Sequence, residues 1–163
     1  MPDTFYRRNL PHIHPEGYPL FITFRLANTL PLEIVSELKI EREREIKLIS
    51  NQSSSELYEI KKKYFDRYDN WLDRCTSGPR WLDNKKIARI IQNKICEMDN
   101  LQYRLIAYCI MSNHVHMLID RCVGEMAHRI EKNAKYPVTE TLRLLKGNTA
   151  RYCNIALERT GNF

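Results

Sequence analysis

Segment 18–26, YPLFITFRL, sets Leu20, Ile22, Phe24 and Leu26 on one side and Phe21, Thr23 and Arg25 on the other, the pattern of a strand with one buried face. Segment 102–111 is apolar on both alternating faces, Tyr103, Leu105, Ala107 and Cys109 against Ile106, Tyr108 and Ile110, which predicts an interior strand. After a tight connection at Ser112 and Asn113, segment 114–120 alternates again. Val115, Met117 and Ile119 face one way; His114, His116, Leu118 and Asp120 face the other. Helical spacing governs the rest. Segment 32–49 is helical, and its middle, KIEREREIK, alternates charge sign as a solvated face does. A polar run, SNQSSSE, separates it from a second charged helix over 55–72, whose Lys61, Lys62 and Lys63 are expected to face water. Asp83 is placed to cap a helix over 84–98, in which Ile87, Ile90, Ile91, Ile95 and Met98 recur at helical steps. Pro137 suits the opening of a last helix, with Val138, Leu142, Leu145, Thr149, Tyr152 and Ala156 along one stripe.

In order the chain reads strand, long helical excursion, strand, strand, helix. That order predicts an α+β fold, a ferredoxin-like split βαβ arrangement around an antiparallel sheet, with a helical insertion at about 32–83. Little chain follows the last helix, so the closing strand of such a fold is expected to be missing. A length of 163 residues suits one domain over 1–163. At 43% hydrophobic and 28% charged, the composition excludes collagenous, low-complexity and wholly disordered classes. No apolar stretch approaches the roughly 20 residues of a membrane span, and the opening MPDTFYRRNLPHIHPEG lacks an apolar signal region. A cytoplasmic, nucleoid-associated location is therefore expected. The five cysteines form no CxxC pair and are odd in number, which predicts free thiols in a reducing compartment, packed as small hydrophobes. A net charge of +6 favours an anionic partner such as nucleic acid.

The pair His114 and His116 changes the picture most. Period two puts both imidazoles on one face, roughly 6 to 7 Å apart at their roots, where they can converge on one divalent cation. A cation held there can polarise a phosphate oxygen, which makes phosphodiester chemistry the natural use. His12 and His14 have the same spacing, but Pro11 and Pro15 bracket them and predict an extended loop.

Three stretches, YRRNLPHIHPEGYPLFITFRL, AYCIMSNHVHMLID and TETLRLLKGNTARYCN, resemble the REP-associated tyrosine transposases and their insertion-sequence relatives, the HUH single-strand DNA transposases. The resemblance spans nearly the whole chain, loosely over 32–83. It implies a metal-dependent DNA endonuclease and strand transferase with a 5′-phosphotyrosine intermediate and no nucleotide cofactor. His114 and His116 would hold Mg²⁺ or Mn²⁺, and the partner would be single-stranded or hairpin DNA, with a homodimer expected. The family's nucleophilic tyrosine lies on a helix beyond the last strand, so this chain is expected to be truncated before it. Tyr152 and Tyr136 are the tyrosines soon after the histidine pair; Tyr152 is the better candidate, although its stripe predicts packing. Arg7, Arg8, Arg25, Lys146 and Arg151 are the candidate DNA contacts. The alternative is a non-catalytic nucleic-acid-binding remnant or regulator. A metal-dependent hydrolase of small phosphates would need more ligands than Asp120 adds.

Overall fold

The computed structural model describes residues 5–7, 11–13, 19–49, 54–120 and 137–163. The fold is α+β. Strands β1 (Phe5–Arg7) and β2 (Pro11–Ile13) form a separate two-stranded antiparallel sheet, so the first histidine-apolar-histidine stretch enters a short strand rather than the loop expected there. His14 lies outside the described residues. The main sheet has three antiparallel strands, β3 (Leu20–Arg25), β4 (Arg104–Ile110) and β5 (His114–Asp120), in the order β3-β5-β4. Among the described residues four helices accompany it: α1 (Leu32–Leu48), α2 (Ser54–Asp73), α3 (Lys85–Met98) and α4 (Pro137–Ala156).

Register gives the sheet two unlike faces. Ile119, Met117 and Val115 of β5 stand opposite Leu20, Ile22 and Phe24 of β3, and opposite Leu105, Tyr108 and Ile110 of β4. This apolar side carries the core, closed by Ile87, Ile91 and Ile95 of α3 and by Leu145 and Cys153 of α4. Each such side chain, fully buried, stabilises by about 1.5 to 3 kcal/mol relative to exposure. On the other side Thr23 lies opposite His116 and Arg25 opposite His114, while Cys109 completes the row from β4.

Several expectations are corrected. The doubly apolar strand, β4, is an edge strand and largely exposed; the interior strand is β5. A register shift between Leu105 and Ala107 explains the misleading pattern, because it moves Leu105 onto the side of Tyr108 and Ile110. Helix α3 is capped by Asn84, whose side chain accepts from the Lys86 amide at 2.9 Å, whereas Asp83 ends a short 3-10 turn and pairs with Arg80. On α4 the buried residues are Thr141, Leu145, Thr149 and Cys153; Tyr152, expected on the buried stripe, is 54% exposed. Among the described cysteines only Cys153 is buried, and Cys96 and Cys109 are exposed. Cys122 lies outside the described residues.

The charged helices α1 and α2 also do more than face water. Glu45 pairs with Lys63 at 2.6 Å and Glu41 with Arg67, while the buried Arg42 lays its guanidinium 4.6 Å from the centre of the Tyr64 ring. Alternating charge along α1 is thus a zipper for α2. The ends of this hairpin meet the chain beyond β3. Ser77 Oγ donates to the Thr29 carbonyl at 3.0 Å, and Gly78, at φ +74°, presses on Asn28 so closely that a Cβ would lie 2.1 Å from its carbonyl oxygen. Among the described residues, no helix is long and apolar enough to cross a membrane.

Candidate metal centre

Helix α2 lies over the histidine side of the sheet. Phe65 meets Phe21 edge-on with ring centres 5.8 Å apart, and Phe21 in turn stacks on His116 at 5.3 Å. Tyr68 accepts from Arg25 Nε at 2.7 Å, and Leu72, fully buried, gives its carbonyl to Asn113 Nδ2 at 3.0 Å. The same helical surface carries Asp69 and Asp73, one turn apart. Asp69 Oδ2 stands 3.8 Å from His116 Nε2, and Asp73 Oδ1 stands 3.5 Å from His114 Nε2. Ligand atoms of Asp69, His114 and His116 all fall within 4.8 Å of one another.

The two imidazoles are nearly perpendicular, and their Nε2 atoms approach to 2.8 Å. Two nitrogens bound side by side on a six-coordinate cation at about 2.1 Å would be about 3.0 Å apart, against about 3.3 Å on a tetrahedral ion. The observed spacing, that of a hydrogen bond between the rings, is nearer the six-coordinate value, and the Asp69 oxygen, 3.8 Å from His116 Nε2 within a cluster spanning 4.8 Å, would have to close by about 1 to 2 Å to join it.

The surrounding hydrogen bonds fix which nitrogen holds a proton. Asn113 donates its amide to Leu72, so its Oδ1 faces His114 Nδ1 at 2.6 Å and can only accept. A neutral His114 is therefore protonated on Nδ1 and offers a lone pair at Nε2. His116 supplies the proton between the rings, with its own Nδ1 accepting from Thr23 Oγ1 at 2.9 Å. The result is a single-file chain of donors from Thr23 through His116, His114 and Asn113 to the Leu72 carbonyl. A hydroxyl donates or accepts with equal ease. Rotation of the Thr23 hydroxyl thus lets His116 carry its proton on Nδ1 and free its Nε2 for a cation.

Electrostatics suit a cation at this point. Burial, and secondarily His116, pulls the pKa of His114 down to about 4 against the opposing pull of Asp73, so the imidazole stays neutral and able to ligate. Burial raises the Asp69 carboxyl above its ordinary value; His116 opposes the rise, and Asp73 and Asp66 add to it. One Asp69 oxygen, Oδ1, is buried without a hydrogen-bond partner. The other, Oδ2, is the one nearest His116, and a carboxylate beside two imidazoles is a donor set that could hold a divalent cation.

Other expected site residues are dispersed. Tyr152 stands on α4, which packs against the opposite, apolar side of the sheet, and is not brought to the histidines. Arg25 lies on the histidine side and also bonds the Leu26 carbonyl and Thr29 Oγ1, each at 3.2 Å. Lys146 and Arg151 are exposed on α4, and Arg7 lies in β1. Arg8 and Tyr136 lie outside the described residues. Asp120, at the far end of β5, pairs with Arg104 at 2.5 Å. Asp69, Asp73, Asn113 and Thr23 were not anticipated, although the α2 pattern held a signal: Phe65, Asp69, Leu72 and Asp73 share one helical face, so what buries Phe65 and Leu72 also receives the carboxylates. No protein-family model, curated protein or solved structure matches the chain.

Proposed function

We propose that the protein cleaves and transfers single-stranded or hairpin DNA at a divalent-metal centre, Mg²⁺ or Mn²⁺, in the manner of the HUH tyrosine transposases that its sequence resembles. The observation that carries this is the convergence of His114 and His116 with the orphaned carboxylate of Asp69. A bound cation would supply charge to a phosphate oxygen. His114, His116 and Asp69 would hold it; Asn113 and Thr23 orient the imidazoles. The strand order β3-β5-β4, with helices between β3 and β4 and a further helix after β5, is compatible with a ferredoxin-like sheet in which a further strand would pair along the edge of β3 that no described strand occupies. A second copy of the chain could supply that strand.

Strand cleavage through tyrosine forms an O–P bond to the phenol, breaks the P–O3′ bond and leaves the proton on the 3′-oxygen. Of the three tyrosines on α2, Tyr68 directly precedes Asp69, and its hydroxyl contacts Arg25, which lies opposite His114. We therefore assign the attack to Tyr68 rather than Tyr152. Incubation with a labelled single-stranded hairpin DNA and Mn²⁺ should give an adduct that survives SDS. Tyr68→Phe and His114→Ala should abolish it, and Tyr152→Phe should not. The alternative, a nucleic-acid-binding module that does not cut, is favoured by the exposed position of Tyr152 away from the centre. Mn²⁺-dependent DNA binding without any adduct would select it.

A further inference from the structure

Beside the end of β3, on the side of α4, lies a cleft of about 480 Å³, within the range of small-ligand sites. Its apolar walls include Phe24, Leu26, Leu82, Val115 and Phe163, the last held by stacking on Trp81 with ring centres 5.5 Å apart. Two cationic residues, Arg25 and Lys146, line it, and among the described residues no acidic one does. Lys146 is exposed as a residue, but its ammonium leans over the Phe24 ring, 5.8 Å from the centre. Its apolar surroundings, and secondarily the positive charge of Arg25, hold its pKa below the ordinary lysine value. The partners of Arg25 are a phenol, a hydroxyl and a carbonyl, all neutral.

An ammonium over an apolar floor, with a second cationic residue at the rim, matches a ligand with a negative charge beside a flat apolar ring. A nucleotide residue has that form. Arg25 links the cleft to the other side of the sheet, because it lines the cleft while its Nε bonds Tyr68 of α2. We propose that this cleft binds one unpaired nucleotide of a single DNA strand, its phosphate between Arg25 and Lys146 and its base against Phe24 and Phe163. This rests on the DNA reading above and extends it by naming where the strand runs from the metal centre.

Gly147 offers a clean probe. It lines the cleft within α4, and a Cβ there would meet nothing within 4 Å, so a larger residue can fill the cleft without displacing its neighbours. The test is binding of a fluorescein-labelled ten-residue oligo-dT in EDTA, followed by anisotropy over a salt series. Gly147→Leu should weaken binding about tenfold, the value of one buried base. Lys146→Gln should weaken it comparably at low salt and reduce the slope of log affinity against log salt by about 0.7. Because EDTA removes any divalent cation, a failure of the metal chemistry would leave this result standing. Affinities within twofold of wild type for both cleft variants, with thermal midpoints unchanged, would overturn the proposal. So would light scattering that shows Gly147→Leu dispersing a dimer, because the cleft would then hold a second copy of the chain.

Discussion

At the scale of the residue, a cation can enter the centre only if His116 moves its proton from Nε2 to Nδ1, and Thr23 is the group that accepts it there. Thr23→Val keeps the shape of the side chain and removes the acceptor. It should weaken Mn²⁺ binding about 10- to 100-fold, as losing a hydrogen-bond partner of a ligating histidine typically does. Asp69→Asn should cost at least as much, because it removes the anionic ligand itself. Competition titration against a fluorescent chelator measures both, and wild-type affinity in either variant would remove that residue from the centre. His114 supplies a pH prediction for the metal-free protein. Its folded pKa, about 4, lies below the ordinary value of 6.5, so between these pH values the unfolded chain binds the proton and the fold does not. The stability that neutral His114 contributes is present above pH 6.5 and lost on acidification toward 4, a change on the order of 2 to 3 kcal/mol. Urea unfolding in EDTA at pH 7.5 and 4.5 should show that excess loss in wild type relative to His114→Gln; parallel losses would count against it. The histidine pair was legible from period two alone. Asp69 was not, because a carboxylate in a charged helix reads the same in sequence whether it faces water or a distant strand.

At the scale of the element, two glycines of opposite character serve the two sites, one beyond the end of α2 and one inside α4. Gly78, at φ +74°, lies against the Asn28 and Thr29 backbone where the segment after α2 passes the end of β3. Alanine there meets backbone atoms and an unfavourable dihedral, and should destabilise by at least about 1 to 3 kcal/mol. Because the displaced segment follows directly on Leu72 and Asp73, Mn²⁺ affinity should fall with it. Gly147→Ala, inside α4 with open space around it, should instead stabilise by about 0.5 to 1 kcal/mol. Thermal unfolding of the pair in the same buffer checks both, and shifts of the same sign would contradict this account. Element type and order followed from hydrophobic periodicity, since the strands and helices that build the sheet and core lie close to where the pattern put them. What pattern could not give was partnership. The register shift in β4 made an edge strand look interior, and the charges of α1 looked solvated although they zip to α2. Both outcomes depend on a neighbour that periodicity within one segment does not encode.

For the molecule as a whole, the α1–α2 hairpin is a separate layer laid over the polar side of the sheet. Phe65 on Phe21, Tyr68 on Arg25 and Asn113 on the Leu72 carbonyl fasten it, and between these contacts two carboxylates face two neutral imidazoles. Without a cation, that carboxylate–imidazole junction is the weak part of the layer: Asp69 is desolvated and one of its oxygens unbonded. A divalent ion held by Asp69, His114 and His116 would convert it into the strongest contact, joining an inserted hairpin to the sheet. Ligand that binds only the folded state at 100 times its dissociation constant stabilises by about 2.7 kcal/mol. For a domain of this size that raises the thermal midpoint by about 5 to 10 °C. Mn²⁺ should therefore produce such a shift in wild type and little or none in Asp69→Asn or His114→Ala. It should also slow proteolytic cleavage within α1 and α2 more than cleavage elsewhere, since the ion closes the layer rather than the core. An equal thermal shift in all three proteins would place the ion at another site and leave the hairpin held by its aromatic and hydrogen-bonded contacts alone.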